Sequence, residues 1–380
     1  MAGPEMATRP EGEGERRGSE GAFAPQQGSS SPGPLAEREP RAPSDVGALL
    51  EPYRRELLAH CYRMTGSLQD AEDLVQETMI RAFRRFDTFK GSSSLRTWLY
   101  AIATNVCLDA LRSRRSRTLP TAGYPPEEPG APVAPPIESA LWIEPFPDAR
   151  LTDVEANPEA RSLRRESLSL AFLVLLQLLP ARQRAILILS DVLDWRASEI
   201  AELLEMSVLA VTSALHRARA TLAKNRKEEG EAGRRVDRGD PGARAILDRF
   251  MQAFEEDDVA GIVALLKEDA IVTMPPTPSW YRGREQVREI LATKPFGSGI
   301  PRRWRLYPTI ANGEAAFGLY RLEASAGAYL PYGILMIPLE SSADGIGIAE
   351  ITAFHESRLV ALFGLPPELP PPQSERAAHD

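Results

Sequence analysis

The sequence predicts a multidomain chain: two all-α blocks, the second a helix-turn-helix, followed by an α+β domain. Three observations lead there. Residues 48–118 and 161–227 carry apolar side chains at three-and-four spacing, the period of a helix buried along one face. Residues 119–160 hold ten prolines and read as a linker between those blocks. Beyond residue 241, two helical patterns give way to strand-like segments with Asn-Gly and Asp-Gly turns at Asn312–Gly313 and Asp344–Gly345.

The chain has 380 residues, room for two or three domains. Its net charge of −8 argues alone against nucleic acid, but the charge is unevenly placed. Residues 48–118 are net +4 and residues 241–380 net −5. Cys61 and Cys107 are too few for a disulfide framework and read as small core residues. No CxxC pair or His/Cys cluster has metal-ligand spacing, and no cofactor is implied. The most apolar run spans twelve residues, too short to cross a bilayer, so a soluble cytoplasmic protein without a membrane partner is expected.

Residues 1–47 hold seven prolines and eight glycines without apolar periodicity, and read as a disordered tail. A short helix over 53–65 ends at Gly66, and Ser67 caps the next, with Asp70 three residues on. On that second helix Leu68, Ala71, Leu74 or Val75, Ala82 or Phe83, and Phe86 make the buried face. Asp70, Asp73 and Glu77 form an acidic stripe near its start, where the helix dipole favours acids. The stripe is either a solvated face or a dock for a basic partner. The polar loop 89–94 follows, carrying Lys90 and ending at a serine cap.

The next helix, from about residue 95, buries Leu95, Trp98, Leu99, Ile102, Val106 and Ala110 along one face. Asn105, Asp109 and Arg112 run along one flank, and Arg114, Arg115 and Arg117 follow. A polar loop beside aromatic rings and a basic helix end suits single-stranded DNA, whose bases need flat faces and whose phosphates need cations. Trp98 and Tyr100 are the available rings, and the phase of Trp98 points mostly inward. Within the linker, an apolar island at 141–146 reads as packing on a domain or partner.

The second block predicts a helix over 161–179, another opened by Pro180, and then a short pair. In that pair Ile200, Ala201 and Leu204 pack inward, the chain turns at 205–207, and Ser207 caps a helix over 208–222. Thr212, Ser213, His216 and Arg217 point away from the buried side, with Arg219, Lys224, Arg226 and Lys227 beyond. This is a helix-turn-helix with an open polar face. Glu205 occupies a turn position that favours glycine, at a cost of about 1 kcal/mol if its backbone is left-handed. His216 has no partner residues that would make it a metal ligand.

In the last domain, helices over 243–256, 259–266 and 284–291 accompany strands over 270–274, 303–310, 315–323, 329–338 and 347–354. Its rings and polar groups could line an apolar pocket: Met274, Trp280, Tyr281, Trp304, Tyr320, Tyr332 and His355.

Read together, DAEDLVQETMIRAFRRFDTF, LRTWLYAIATNVCLDALRSRR, LPARQRAILILSDVLDW and the closing LHRAR resemble extracytoplasmic-function sigma factors, the promoter-reading subunits of bacterial RNA polymerase. The resemblance covers residues 48–225, with 48–118 as region 2 and 161–227 as region 4. It implies that Asp70, Asp73 and Glu77 dock on core RNA polymerase. It implies that Lys90, Trp98, Asn105, Arg112, Arg114 and Arg115 hold melted −10 DNA. Thr212, Ser213, His216, Arg217 and Arg219 would read the −35 element of promoter DNA. Asp194 and Glu205 depart from the small residues common at their positions.

Residues 241–370 resemble the cone-shaped α+β fold of the SnoaL-like, nuclear transport factor 2-like proteins, followed by a short tail over 371–380. Some members of that fold are enzymes, and an acid–base pair such as Asp269 with His355 is one catalytic arrangement. Regulation in cis is the preferred reading, with Trp280, Tyr281, Trp304, Tyr332 and His355 as pocket residues and no catalytic residue assigned. It leaves room for a separate anti-sigma factor without requiring one. Two other classes are weighed beside it: an enzyme tethered to DNA by its helical half, and a repressor acting without polymerase.

Overall fold

The computed structural model describes residues 43–113, 116–128, 130–137, 141–151, 167–228, 234–236, 239–342 and 345–371. Most of the N-terminal segment, Arg114, Arg115 and the last nine residues lie outside them.

Four helices build the first block. Helix α1 (Pro43–Leu50) begins inside the 1–47 stretch expected to be a tail and crosses into the first block, with Val46 and Leu50 buried. Apolar burial of these two side chains outweighs the proline-rich composition around them. Helix α2 (Arg54–Thr65) stops at Gly66, which adopts the left-handed conformation (φ 69°) open to glycine. Ser67 caps α3 (Leu68–Arg84), its hydroxyl accepting from the Asp70 amide at 3.1 Å. Ser94 caps α4 (Leu95–Leu111) in the same way, accepting from Thr97 N at 3.0 Å.

The second block is built from α5 (Leu170–Gln177), α6 (Ala181–Leu187), α7 (Ala197–Leu203) and α8 (Val208–Glu228). Where one helix over 161–179 was expected, the described helix begins at the Ser169 cap, and residues 161–166 lie outside the described ones. Helix α6 runs into a π-helical turn, Ile188–Val192. Asp194 and Glu205 both have positive φ, 57° and 53°, so the two positions where glycine was expected do take the left-handed conformation.

The α+β domain contains α9 (Pro241–Glu255), α10 (Val259–Ala264), α11 (Arg284–Thr293) and α12 (Ser357–Leu362). Its strands are β1 (Arg234–Arg235), β2 (Leu266–Thr273), β3 (Trp280–Arg282), β4 (Trp304–Ala311), β5 (Glu314–Glu323), β6 (Ala328–Met336), β7 (Leu339–Ser342) and β8 (Gly345–Phe354). Strands β4, β5, β6 and β8 pair antiparallel in that order, and β8 also pairs parallel with β2. Edge strands β3 and β4 end this path, so the sheet does not close on itself. This is the α+β fold the sequence predicts, with β1, β3, β7 and α12 added.

The cores do not respect the sequence boundaries. One buried cluster runs from Leu57, Leu99 and Tyr62 through Ile143 and Phe146 of the linker to Tyr320, Met336 and Phe354 of the sheet. A second fills the space between the sheet and helices α9 to α11, and a third holds α7 against α8. Among the described residues no helix is long and apolar enough to cross a membrane.

Candidate nucleic-acid interface

The acidic stripe on α3 divides once it is folded. Asp70 is paired with Arg117, which follows α4 at the end of the first block, at 2.8 Å, and both side chains are largely buried. Glu77 accepts from Arg81 at 2.6 Å, and Arg81 reaches Asp109 of α4 at 3.7 Å, which also meets Arg112 at 3.5 Å. Asp73 is exposed. Three residues that the helical pattern did not assign to this face join it. Ile80 and Phe83 are 37% and 44% exposed, and Gln76 is exposed beside them. Of the pair Ala82 and Phe83, Ala82 is the buried one and Phe83 faces solvent. Gln76, Ile80 and Phe83 line a shallow groove of about 300 Å³ together with Leu50 and Arg54. The exposed strip of α3 is thus mixed rather than purely acidic, with Asp73 as its open carboxylate.

Around the loop at 89–94, Trp98 is half-buried and packs on Phe89 and Phe86, with ring centroids 5.3 and 6.3 Å apart. This trio supports the loop that carries exposed Lys90. Tyr100 is not a free ring. It is 1% exposed, lies under the Arg96 guanidinium at 5.1 Å, and donates to Glu56 at 3.4 Å. Asn105 and Arg112 are exposed along α4, as the helical phase requires, while Arg114 and Arg115 lie outside the described residues. Phe86, expected on the buried face of the preceding helix, is only half-buried and joins Phe89 against Trp98; Phe89, just past the helix end, carries no periodic signal.

On α8, Val211, Ala214 and Ala218 are buried against α7 and α6. Ser207 caps the helix by accepting from Ala210 N at 3.1 Å. Thr212, His216 and Arg217 are exposed and Ser213 is half-buried, so one face is open to solvent. Leu209 is 78% exposed at the helix start, ahead of them. Arg219 is different. Its guanidinium makes a two-point ion pair with Asp191 of the π-turn at 2.7 and 3.1 Å, which ties α8 to the preceding element. That pairing raises the Arg219 pKa. The side chains of Arg226 and Lys227 lie outside the described residues.

Both blocks are held together by buried polar bonds. Arg184 of α6 is 2% exposed and donates to the Met64 carbonyl at the end of α2, and to Leu176 O, Gln177 O and Leu179 O at the end of α5. Those orphan helix-end carbonyls attract a cation. Burial pulls its pKa down to about 10, so it stays charged at neutral pH. Tyr100 of α4 and Trp195 of the second block meet edge to face at 6.3 Å.

The α+β domain grips both blocks through one hairpin. Asn312 and Gly313 form the two-residue turn between β4 and β5, with φ of 54° and 81°, the signature of a type I′ turn. The Asn312 carboxamide, 2% exposed, donates to Tyr62 Oη at 2.9 Å and to Leu168 O at 2.6 Å. It accepts from Phe146 N at 2.8 Å, and its own amide donates to Phe146 O at 2.9 Å. Nearby, the buried carboxylate of Glu144 accepts from Ser67 Oγ and Gln69 N at the start of α3, and from Arg358 of α12 at 2.6 Å. One linker acid thus caps a helix of the first block and pairs with the last domain.

The pocket residues split into two groups. Trp304, Tyr332 and His355 form a chain of ring contacts at 5.0 and 5.1 Å, and burial lowers the His355 pKa to about 4. Trp280 and Tyr281 sit on β3, at the other end of the strand order from β4, where the Trp280 indole donates to Tyr124 O of the linker at 2.8 Å. Tyr320 belongs to the core shared with the helical blocks. An Asp269–His355 pair does not form. Asp269 is exposed in the irregular first half of β2, whereas His355 follows the far end of the parallel strand β8, beyond the Thr273–Thr352 pair. No group of three or more potential metal ligands exists among the described residues.

Comparison with known proteins follows these divisions. Residues 49–117 match the Sigma-70 region 2 family, 169–222 match Sigma-70 region 4, and 247–353 match the SnoaL-like domain. The ECF RNA polymerase sigma factor SigG of Mycobacterium tuberculosis is 43% identical over 341 residues, spanning 88% of this chain and 89% of its own length. The ECF RNA polymerase sigma factor SigW of Bacillus subtilis is 29% identical over 180 residues, 47% of this chain and 88% of SigW. The crystal structure of the extracytoplasmic function sigma factor SigJ of M. tuberculosis aligns with 85% of this chain and 99% of its own, at 22% identity and a TM-score of 0.49. On the extent of its likeness to SigG, and on the order of its three matched regions, this chain belongs to the ECF RNA polymerase sigma factors and carries a C-terminal SnoaL-like domain.

Proposed function

We propose that this sigma factor binds core RNA polymerase through the strip led by Asp73 and directs promoter recognition and melting, while its SnoaL-like domain holds the two DNA-reading blocks together until they are needed apart. Helix α8 enters the major groove of the −35 element, where Thr212, Ser213, His216 and Arg217 meet base edges and phosphates. The loop around Lys90 and the flank of α4 receive the melted −10 strand, whose phosphates need its cations.

One observation carries the regulatory part. Tyr100 and Trp195, one on each block, are 6.3 Å apart. Elements centred at −10 and −35 are separated by about 85 Å of straight duplex at ~3.4 Å per base pair. The blocks therefore separate before both are read at once, and Arg184, Asn312 and Glu144 are the bonds that oppose separation. Core polymerase would supply the compensating contacts and keep both blocks at high effective concentration near the promoter. The SnoaL-like domain acts here as a clasp, not as an enzyme.

Run-off transcription with core polymerase tests both parts. Full-length protein should start transcripts at a matched promoter, and the clasp variant Asn312→Gly should do so more strongly. No transcripts from either protein would sink the sigma reading; equal output from both would sink the clasp.

A further inference from the structure

Helix α8 carries an apolar side chain that the fold does not use. Leu209 is 78% exposed and Val208, just before it, is 50% exposed, both in the first turn. Burial is what makes a leucine favourable, and at this exposure the fold gains little from it. By helical phase Leu209 stands in one row with Thr212, Ser213 and His216, at i+3, i+4 and i+7. The row lies on the side opposite buried Val211, Ala214 and Ala218.

Thr212 extends that apolar start. Its hydroxyl donates to the Val208 carbonyl at 3.0 Å, one turn back in the same helix, so its hydrogen is committed there and does not serve a base. What exposed Thr212 has left to offer is its methyl group and an acceptor lone pair. The open face is therefore apolar over its first turn and polar or cationic beyond, at His216 and exposed Arg217. No acidic side chain stands on α8 before Glu228, so this face suits a polyanion such as duplex DNA.

We infer that Leu209, beside the methyl group of Thr212, is a specificity-determining contact that selects a thymine of the −35 element by its C5 methyl group. The contact rests on α8 being the −35 helix. A helix-turn-helix presents the start of its second helix to base edges in the major groove. Thymine is the base that shows an apolar group there, whereas cytosine in the same place shows an amino donor that Leu209 cannot pair. Burying one methyl group is worth about fourfold in affinity, or ~0.8 kcal/mol.

The test uses holoenzyme assembled from core polymerase and either the full chain or its Leu209→Ala variant, which changes an exposed side chain to a strong helix former and should fold as the parent does. Each selects from duplexes randomised across the −35 element. The parent should enrich a thymine at one position, and the variant should lose that preference while keeping the others. Deoxyuridine in place of that thymine removes the methyl group alone; it should weaken parent binding about fourfold and leave the variant nearly unaffected. A deoxyuridine duplex bound as tightly as its thymine counterpart, or a base preference unchanged in the variant, overturns the assignment. So does a fall in core-polymerase affinity with base preference intact, which gives Leu209 to a protein surface instead. If the parent enriches no −35 sequence at all, the reading of α8 as the −35 helix fails first, and the thymine contact with it.

Discussion

Asn312 donates to the hydroxyl of Tyr62 at 2.9 Å, joining a hairpin turn of the last domain to the second helix of the first across 250 residues of sequence. Tyr62 is fully buried and its hydroxyl donates to the Glu144 carbonyl at 2.6 Å, so helical block, linker and sheet share one chain of hydrogen bonds.

Removing the carboxamide should loosen that junction. Asn312→Gly keeps the left-handed backbone but strands Leu168 O and Phe146 N, and takes one of Tyr62's partners. Each stranded group costs about 1–3 kcal/mol, with incomplete additivity, so a loss of roughly 2–4 kcal/mol is expected by denaturant unfolding. Loss under 0.5 kcal/mol would mean that these hydrogen bonds contribute little.

Asp73 and Phe83 are exposed, so changing them should spare the fold and weaken polymerase binding. Asp73→Arg reverses a charge within the strip, and Phe83→Ala removes an apolar anchor of the kind that dominates interfaces. We expect affinity for core polymerase, measured by fluorescence anisotropy, to fall about tenfold or more for each, a loss of ~1.4 kcal/mol. Unfolding curves should overlay those of the parent.

Two arginines on α8 should part company. Arg217 is exposed, and Arg217→Ala should lower both −35 duplex affinity and the slope of log K against log salt by about one phosphate contact. Arg219 is engaged with Asp191, so Arg219→Ala should change stability by about 0.2–1 kcal/mol, with a smaller effect on the salt slope. Equal slope changes in the two variants would show that Arg219 leaves Asp191 for DNA.

Glu205 holds a φ of 53° in the turn between α7 and α8. Glu205→Gly removes the clash of Cβ with the backbone there and should stabilise the chain by about 1 kcal/mol. An unfolding temperature that does not rise would place the strain elsewhere.

His60 provides the pH dependence. It is fully buried on Thr104 at 3.0 Å, and burial, helped by Arg63, lowers its pKa to about 3. The folded state therefore holds His60 neutral, while the unfolded chain protonates it below about 6.5. Its contribution is complete above pH 6.5 and is lost as pH falls towards 3, by about 1.4 kcal/mol per pH unit. His355, lowered to about 4, acts in the same direction. Between pH 7 and 5 the stability of His60→Gln should fall less steeply than the parent's, by urea denaturation.

Much of this molecule was written in short-range chemistry. Ser67, Ser94 and Ser207 mark helix starts because a hydroxyl can take an orphan amide one turn on, and Gly66 marks an end because only its backbone turns left without cost. Apolar period set the faces of α4 and α8, and Asn312–Gly313 announced its hairpin. These signals act within a few residues, so one chain read in order suffices.

What surrounds each exposed charge was not legible. Asp70, Asp73 and Glu77 are equivalent along the sequence, yet Arg117 takes the first and Arg81 the third, leaving Asp73 open. Phe83 fits an apolar stripe but faces solvent, and Trp280 and Trp304 belong to opposite ends of the sheet path. The sequence alone determined the elements, their order and the family they resemble. Tertiary structure decided which side chains pair and that one asparagine clasps three parts of the chain, because such contacts join residues up to 250 positions apart and depend on how the elements pack.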